Sequence, residues 1–380
     1  MSGPLRFAPI ELPPEAEALR AEIRAFLADE HARGGFTPSY EGWGKFSPEF
    51  SRALGARGWL GMTWPKQYGG QARSPLERYV LIEEMLAAGA PVRAHWVADR
   101  QSGPTILRFG TEEQKQTFLP RIAKGECYFC IGMSEPDSGS DLASIRTRAR
   151  KVDGGWEVEG AKIWTSNAHR CHMIILFVRT APRGEDRHAG VSQLLVDLAS
   201  PGITIRPIIN LPGEHDFNEI AFDRVFVPDD RVLGEIGNGW NQVTSELAYE
   251  RSGPERWLST YGALRGLADA VGQNPGDKEA EALGRLVAHL ATLRRMSISV
   301  AGMLQEGAAP ATEAALVKDL GTNFEQDIPA VARRLVPRGA RSREFAETLD
   351  RAIQWAPAFT LRGGTKEVLR GIVARALGLR

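Results

Sequence analysis

The chain is poor in cysteine, carries no net charge and has no long apolar run, and each shortage removes a class of function. Three cysteines (Cys127, Cys130 and Cys171) in 380 residues are too few for a disulfide scaffold. Cys127 and Cys130 form a C-x-x-C, but in a strand-like run, where positions three apart point to opposite faces. A redox pair instead sits at a helix N-terminus that lowers the thiol pKa. His169 and His172 flank Cys171, yet the run enters apolar Met173 to Val178 and offers no fourth ligand, so no metal is expected. Lys plus Arg and Asp plus Glu both number 47. Nothing in that balance draws the chain to nucleic acid or to an anionic membrane. The basic clusters Arg146 to Lys151 and Arg333 to Arg343 read as solvated faces. No apolar stretch approaches the roughly 18 residues of a membrane span. The N-terminus has neither the charged nor the apolar region of a secretory signal. The expectation is a cytoplasmic protein in a reducing compartment. Also absent are a Walker loop, a G-x-G-x-x-G after a strand, H-E-x-x-H and G-x-S-x-G, which argues against nucleotide hydrolysis, Rossmann dehydrogenation and the commonest hydrolase.

What is present is a globular composition, 43% hydrophobic and 25% charged, on a chain long enough for two or three domains. Residues 1–125 read as helical. Apolar positions at helical spacing run from Glu15 to Glu30 and from Phe46 to Arg57. Ser74-Pro75 opens a third helix, another follows Gly103-Pro104, and Thr111 to Gln114 carries a capping signal. From 126 to 234 the period becomes two. Trp156 to Glu159, Met173 to Val178, Val191 to Val196, Ile203 to Ile208 and Ala221 to Val227 predict short strands of a small sandwich or barrel. From 235 to 380 helices resume. One is expected from Gly239 through Glu250 to Leu258, kinked at Gly253-Pro254. Further helices are expected over Glu279 to Gln305, over Thr312 to Val336 with an interruption at Pro329, and over Lys366 to Ala376. The fold class is therefore α+β, in the order helical, β, helical.

Three stretches carry candidate chemistry. The loop Gly132-Met-Ser-Glu-Pro-Asp-Ser-Gly-Ser-Asp141 is dense in small and turn residues that leave N–H groups and hydroxyls free for a ligand. It leads by a strand-turn-strand to Trp164, flanked by Thr165 and Ser166, where an aromatic face beside hydroxyls suits a flat, polar-edged ring. Gly363-Gly364-Thr365 precedes a helix whose first N–H groups favour an anion or a carbonyl oxygen. Glu250 lies just before a break, with no lysine four residues on. On spacing alone it reads as an exposed helix glutamate or a partner of Arg251 or Arg256.

Over its whole length the sequence resembles the acyl-CoA dehydrogenases. The resemblance rests on Gly132 to Asp141, on Gly160-x-Lys-Ile-Trp-Thr-Ser-Asn167, on Tyr249-Glu250-Arg251, on Arg362-Gly-Gly-Thr-Lys-Glu-Val-Leu-Arg370 and on Trp64-Pro-Lys-Gln-Tyr-Gly-Gly70. It implies FAD as cofactor. Met133 and Ser134 would meet the flavin edge, Ser140 would lie near the pyrophosphate and the CoA moiety, Trp164 would pack on the ring and Ser166 would bond near N5. Thr365 and Glu367 would lie by the cofactor, and Arg251 near substrate. Members that act on short and medium chains place the catalytic glutamate in the C-terminal turn, where this chain has Gly363. The isovaleryl and long-chain branch places it on the long helix, where this chain has Glu250. The resemblance thus implies Glu250 as base, with the Gly363 N–H polarising the thioester carbonyl. It further implies an acyl-CoA substrate, an electron-transfer flavoprotein as acceptor and a tetramer. Two motifs that reach a partner subunit's FAD are missing, at Gln273 to Lys278 and at Arg338 to Ser342. The assembly is thus read as a homo-oligomer or as a pair of unlike subunits. A non-catalytic partner subunit, or a flavin oxidase or monooxygenase on the same scaffold, are the rival readings.

Overall fold

The computed structural model describes residues 5–40 and 43–379, without the side chains of residues 246–250. In chain order the first helices are α1 (Pro14–Ala32), α2 (Pro48–Ala56), α3 (Pro75–Ala87), α4 (Arg93–Val97), α5 (Gly103–Phe109) and α6 (Glu112–Ala123). The strands are β1 (Phe129–Gly132), β2 (Arg148–Val152), β3 (Gly155–Ser166), β4 (Met173–Arg179), β5 (Val191–Asp197), β6 (Ile203–Ile209), β7 (His215–Pro228) and β8 (Val232–Leu233). Then come α7 (Gly239–Glu250), α8 (Tyr261–Val271), α9 (Asp277–Gln305), α10 (Ala311–Leu335), α11 (Arg343–Phe359) and α12 (Lys366–Ala376). The helical, β, helical order is the one expected of an α+β chain. Capping explains several starts. Ser74 with Glu77, and Thr111 with Gln114, form reciprocal capping boxes that satisfy the first free N–H groups of α3 and α6.

By packing, the chain divides into two units: residues 1–46, 73–93 and 247–380, and residues 47–72 and 94–246. The second unit holds the sheet. Its path is β6-β7-β3-β2-β4-β5-β8, with β1 also on β4. Only Arg148 opposite Arg179 joins β2 to β4, so the sheet falls into two halves. One buried cluster takes Trp156, Val158, Ile220 and Phe222 from one half and Ile174, Leu176, Val178 and Leu194 from the other. This is the packing expected of a small sandwich. A second cluster sets Ile106, Phe118 and Ile122 of the helices against Phe129, Ile175 and Leu195. Cys127 belongs to that cluster and Cys130 to the first, on opposite faces, and all three cysteines are free thiols. No group of three metal-ligating side chains occurs among the described residues.

The first unit is helical. Arg20 of α1 and Arg294 of α9 meet Glu83 of α3 at 2.8 and 2.7 Å, and Arg24 reaches Glu84 at 2.7 Å. These pairs tie three helices at one level.

Four expectations need correction. The helix from Gly239 stops at Glu250 and does not run kinked to Leu258: Gly253 is extended, and Pro254 begins a separate short turn, Pro254–Arg256. A residue before proline is pushed out of the helical region, and here that ends the helix. Conversely, Pro329 does not interrupt α10. The carbonyl it leaves unpaired four residues back, that of Glu325, accepts from the Thr260 hydroxyl at 3.2 Å. Helix α11, capped by Ser342, was not expected at all, because the basic Arg333 to Arg343 stretch read as a solvated face. Strand β7 begins six residues earlier than its alternation predicts, at His215.

Gly321 lets α10 approach the turn after α7: a Cβ there would lie 2.4 Å from the Arg256 carbonyl oxygen. Gly321→Ala is expected to lower stability by about 1–3 kcal/mol through overpacking against backbone. Urea unfolding measures it, and an unchanged midpoint would contradict this close approach.

Candidate functional site

The loop that begins at Met133 is fixed by a lysine inside the sheet. Lys162 falls in phase with Trp156 and Val158 on the inward side of β3, and is fully buried. Its Nζ donates to the Met133 carbonyl and to Glu135 Oε1, both at 2.9 Å. Glu135 accepts in addition from the Arg146 and Thr147 amides, at 2.6 and 2.9 Å. Its own N–H donates to the Ser138 carbonyl at 2.7 Å. Burial pushes the Lys162 ammonium down to about 8 against the pull of Glu135. Burial also raises the Glu135 carboxyl, but Lys162 and the loop donors outweigh it and hold the group below the usual carboxylate range. A buried charge of either sign alone would be prohibitive; paired and hydrogen-bonded to the loop, the two can stay.

Beyond Lys162 the strand is distorted. Lys162 lies opposite Ile220 and Thr165 opposite Asn218, so β3 carries one extra residue. Such a bulge re-aims a side chain, and here it is Trp164. Trp164 has φ of 61°, in the left-handed region, and remains 57% exposed. An aromatic residue held there stores about 1–3 kcal/mol of strain, which the surrounding hydrogen bonds must offset. The ring meets Phe217 edge-on, 5.9 Å between centroids. The Ile163 amide donates to the Ser134 carbonyl at 2.9 Å, so the loop and the bulge are directly joined.

Around this strained tryptophan sit the hydroxyls the sequence singled out. Ser134 and Ser166 are half-buried, and neither side chain is hydrogen-bonded to another described residue. Thr165 Oγ1 is buried without a partner. Met133 packs against a cluster of Ile145, Phe177, Val191 and Val243. Ser140 stands exposed on the loop, between Ser138 and Asp141, which close the turn through a 2.6 Å bond. An exposed aromatic face with uncommitted hydroxyls beside it fits a flat heteroaromatic ring such as a flavin.

The other predicted residues belong to the helical unit. Gly363 and Gly364 both have positive φ, 69° and 101°, between α11 and α12. Arg251 is buried and donates Nε to the Gly363 carbonyl at 3.0 Å. Buried Lys318 donates to the Gly364 carbonyl at 2.7 Å. Arg362 meets Glu325 at 2.9 Å and Ser259 at 2.6 Å. Thr365 caps α12, accepting from the Val368 amide. Glu367 is exposed in the first turn, its carboxyl lowered by its own amide and by Thr365. Glu250 is the last residue of α7, and its side chain lies outside the described residues. The structure therefore joins Met133, Ser134, Trp164 and Ser166 in one unit, and Arg251 and Gly363 in the other. Sequence reasoning missed Glu135, Lys162 and Lys318. The phase of Lys162 on an otherwise apolar face was the signal that could have found the first pair.

Family models cover nearly the whole chain: the acyl-CoA dehydrogenase N-terminal domain over residues 13–126, the middle domain over 130–225 and the C-terminal domain over 237–378. The chain belongs to the acyl-CoA dehydrogenase family. It is thereby placed among oxidoreductases that act on acyl-CoA. Among curated relatives, acyl-CoA dehydrogenase IpdE1 of Mycobacterium tuberculosis is 32% identical over 96% of this chain and 98% of its own. Acyl-CoA dehydrogenase FadE34 of the same organism is 33% identical over 96% of this chain, which spans only 49% of that longer protein. A solved structure described as the Tcur3481-Tcur3483 steroid ACAD is 32% identical, with a TM-score of 0.84 over 97% of this chain and 99% of that one. The acyl-CoA dehydrogenase fold accounts for the three successive regions seen here.

Removing the buried ammonium should expose how much the loop relies on it. Lys162→Met leaves Glu135 buried without its counter-charge and is expected to cost about 3–5 kcal/mol. The pH dependence has a definite sign. A carboxyl lowered in the fold stabilises it above the unfolded pKa of about 4.3, and that contribution is lost as pH falls through the lower folded value. In Lys162→Met this acid-side loss should shrink. Denaturant melts of both proteins from pH 7 downward measure it, and parallel curves would rule the pair out as an anchor.

Proposed function

We propose that the chain is a catalytic, FAD-binding acyl-CoA dehydrogenase subunit that introduces a trans-2 double bond into a bulky acyl-CoA thioester. The observation that carries the reading is Trp164, held exposed at positive φ on a bulge with the free hydroxyls of Ser134 and Ser166 beside it. Strained backbone of this kind clusters at ligand-binding and active sites. Met133, Ser134, Trp164 and Ser166 would hold the isoalloxazine, with Ser140 toward the pyrophosphate and CoA. Thr365 and Glu367 would contribute from the start of α12. Bound oxidised FAD supplies the two-electron acceptor for the β-hydrogen.

The chain's own residues do the rest. A hydrogen α to a thioester is weakly acidic, so its removal needs a base and a donor aimed at the developing enolate oxygen. Glu250 takes the α-proton. The Gly363 N–H, which donates to no other described residue, polarises the carbonyl. Arg251 fixes the far side of Gly363 by holding its carbonyl, and Lys318 does the same for Gly364. Arg251 thus serves as a positioning residue whether or not it also meets substrate. The enoyl product forms as the α-proton and the β-hydrogen leave.

The substrate class and assembly follow the relative whose description names a steroid ACAD of two unlike components. We assign the chain to a pair of unlike subunits, as its catalytic member, with an electron-transfer flavoprotein as acceptor and a site in the cytoplasm. A homotetramer is the alternative assembly.

The decisive experiment is anaerobic flavin bleaching, screened across straight, branched, aromatic and steroid-side-chain acyl-CoAs. Near one FAD per chain and bleaching by the bulky substrates are expected. Glu250→Gln should keep the flavin and slow bleaching by about 10²–10⁴-fold. Normal bleaching by that variant would sink the base assignment. A chain without flavin would be a structural partner, and rapid reaction of the reduced flavin with oxygen would mark an oxidase.

A further inference from the structure

Beside the bulge lies a polar cluster that the reaction does not use. The rings of His169 and His215 stack with centroids 3.6 Å apart and 17° between planes. Both point a nitrogen at one atom, Asn218 Oδ1: His169 Nδ1 at 3.1 Å and His215 Nε2 at 2.8 Å. Asn218 is fully buried, and its Nδ2 donates to the Thr165 carbonyl at 2.9 Å. The chemistry permits one arrangement. An amide oxygen only accepts, so each ring must present an N–H to it. The amide nitrogen is then forced toward β3. Burial pushes His169 down to about 4, with His215 and Arg170 acting the same way, so that ring is neutral near neutrality. The charged groups nearby are Arg170 on the short turn Ala168–Arg170, and Glu214 and Asp216 flanking His215; the paired positions of β6 present Ile208 and Ile209.

The place of this cluster gives it its consequence. The register of β3 slips between Lys162 and Thr165, and only Ile163 and Trp164 lie within the slip. One side is anchored by Lys162 on Met133 and Glu135. The other is anchored by Asn218 on the Thr165 carbonyl. We infer that Asn218, oriented by the stacked pair His169 and His215, is a positioning residue that keeps the β3 bulge in register and so sets Trp164 and Ser166 for the flavin. The inference rests on the FAD reading of the cradle. Without the amide donor the Thr165 carbonyl loses this side-chain bond, and the hold on the strained tryptophan from this side is weakened.

The test uses the full chain, with and without added FAD. Asn218→Asp keeps an acceptor for both rings but turns a second oxygen toward the Thr165 carbonyl. Amide hydrogen exchange over residues 163–167 in the flavin-free protein should quicken by about 10-fold, the worth of one hydrogen bond. Exchange in β4 and β5 should not change. FAD should bind about 10-fold more weakly by the same reasoning, and the visible flavin band should lose fine structure. His215→Phe preserves the stack while removing one donor, and should shift exchange and affinity the same way by less. Wild-type exchange and wild-type FAD affinity in folded Asn218→Asp overturn the inference. If that variant does not fold, unchanged values in His215→Phe do so. A wild-type chain that binds no FAD overturns the cofactor reading instead, and the exchange of residues 163–167 still reports on the clamp itself.

Discussion

The ion pair between Lys162 and Glu135 is the constraint from which the candidate site follows. It is buried at both ends and satisfied by backbone on both sides, through the Met133 carbonyl and the Arg146 and Thr147 amides. A pair of apolar residues of similar volume would cost less desolvation. What such residues cannot do is specify where a loop of small residues goes. Each of the five bonds made by these two side chains and the Glu135 amide has a fixed direction, and together they leave the Met133 to Ser138 segment one position against β3. With the loop fixed, Ser134 can accept from Ile163, and the strand is held at the residue before its tryptophan.

The strain at Trp164 then becomes intelligible. A left-handed tryptophan at a bulge is unfavourable by itself, and it persists only where both ends of the distortion are held. Lys162 holds one end through charge-assisted bonds, and Asn218 holds the other through a neutral amide. These are different chemistries with different pH responses. The ion pair depends on an ammonium lowered to about 8, whereas the amide bond joins two groups that carry no charge.

Much of the fold was legible because local rules and tertiary packing agree. Ser74 and Thr111 announced α3 and α6 by capping chemistry, and the shift from helical to twofold period located the sheet. One failure occurred where a distant side chain reversed a local rule. Pro329 should break α10, but Thr260, 69 residues earlier in sequence, supplies the missing donor to Glu325. No local pattern contains that information. The site was legible as motifs and illegible as mechanics. Trp164, Ser134 and Ser166 stood out by type, whereas the residues that orient them, Glu135, Lys162 and Asn218, act through bonds to backbone, which a sequence does not display. Asn218 lies in an unremarkable polar position of β7, and only the register opposite Thr165 gives it a role.

The C-terminal turn shows why a glycine there bears on the choice of base. Gly363 has φ of 69°, a conformation that any side chain adopts only at a cost of about 1–3 kcal/mol. It is held there by Arg251 on its carbonyl, while Lys318 holds the next. The turn is thus stabilised through its carbonyls, which leaves the Gly363 N–H directed elsewhere. A glutamate at this position would add strain to a turn already fixed on both sides. The proposed reaction needs a base and an enolate donor. The backbone of the turn can supply the donor, but a glycine cannot supply the base. Under this reading a carboxylate must come from another element, and the base proposed, Glu250, is the residue immediately before the arginine that fixes the turn.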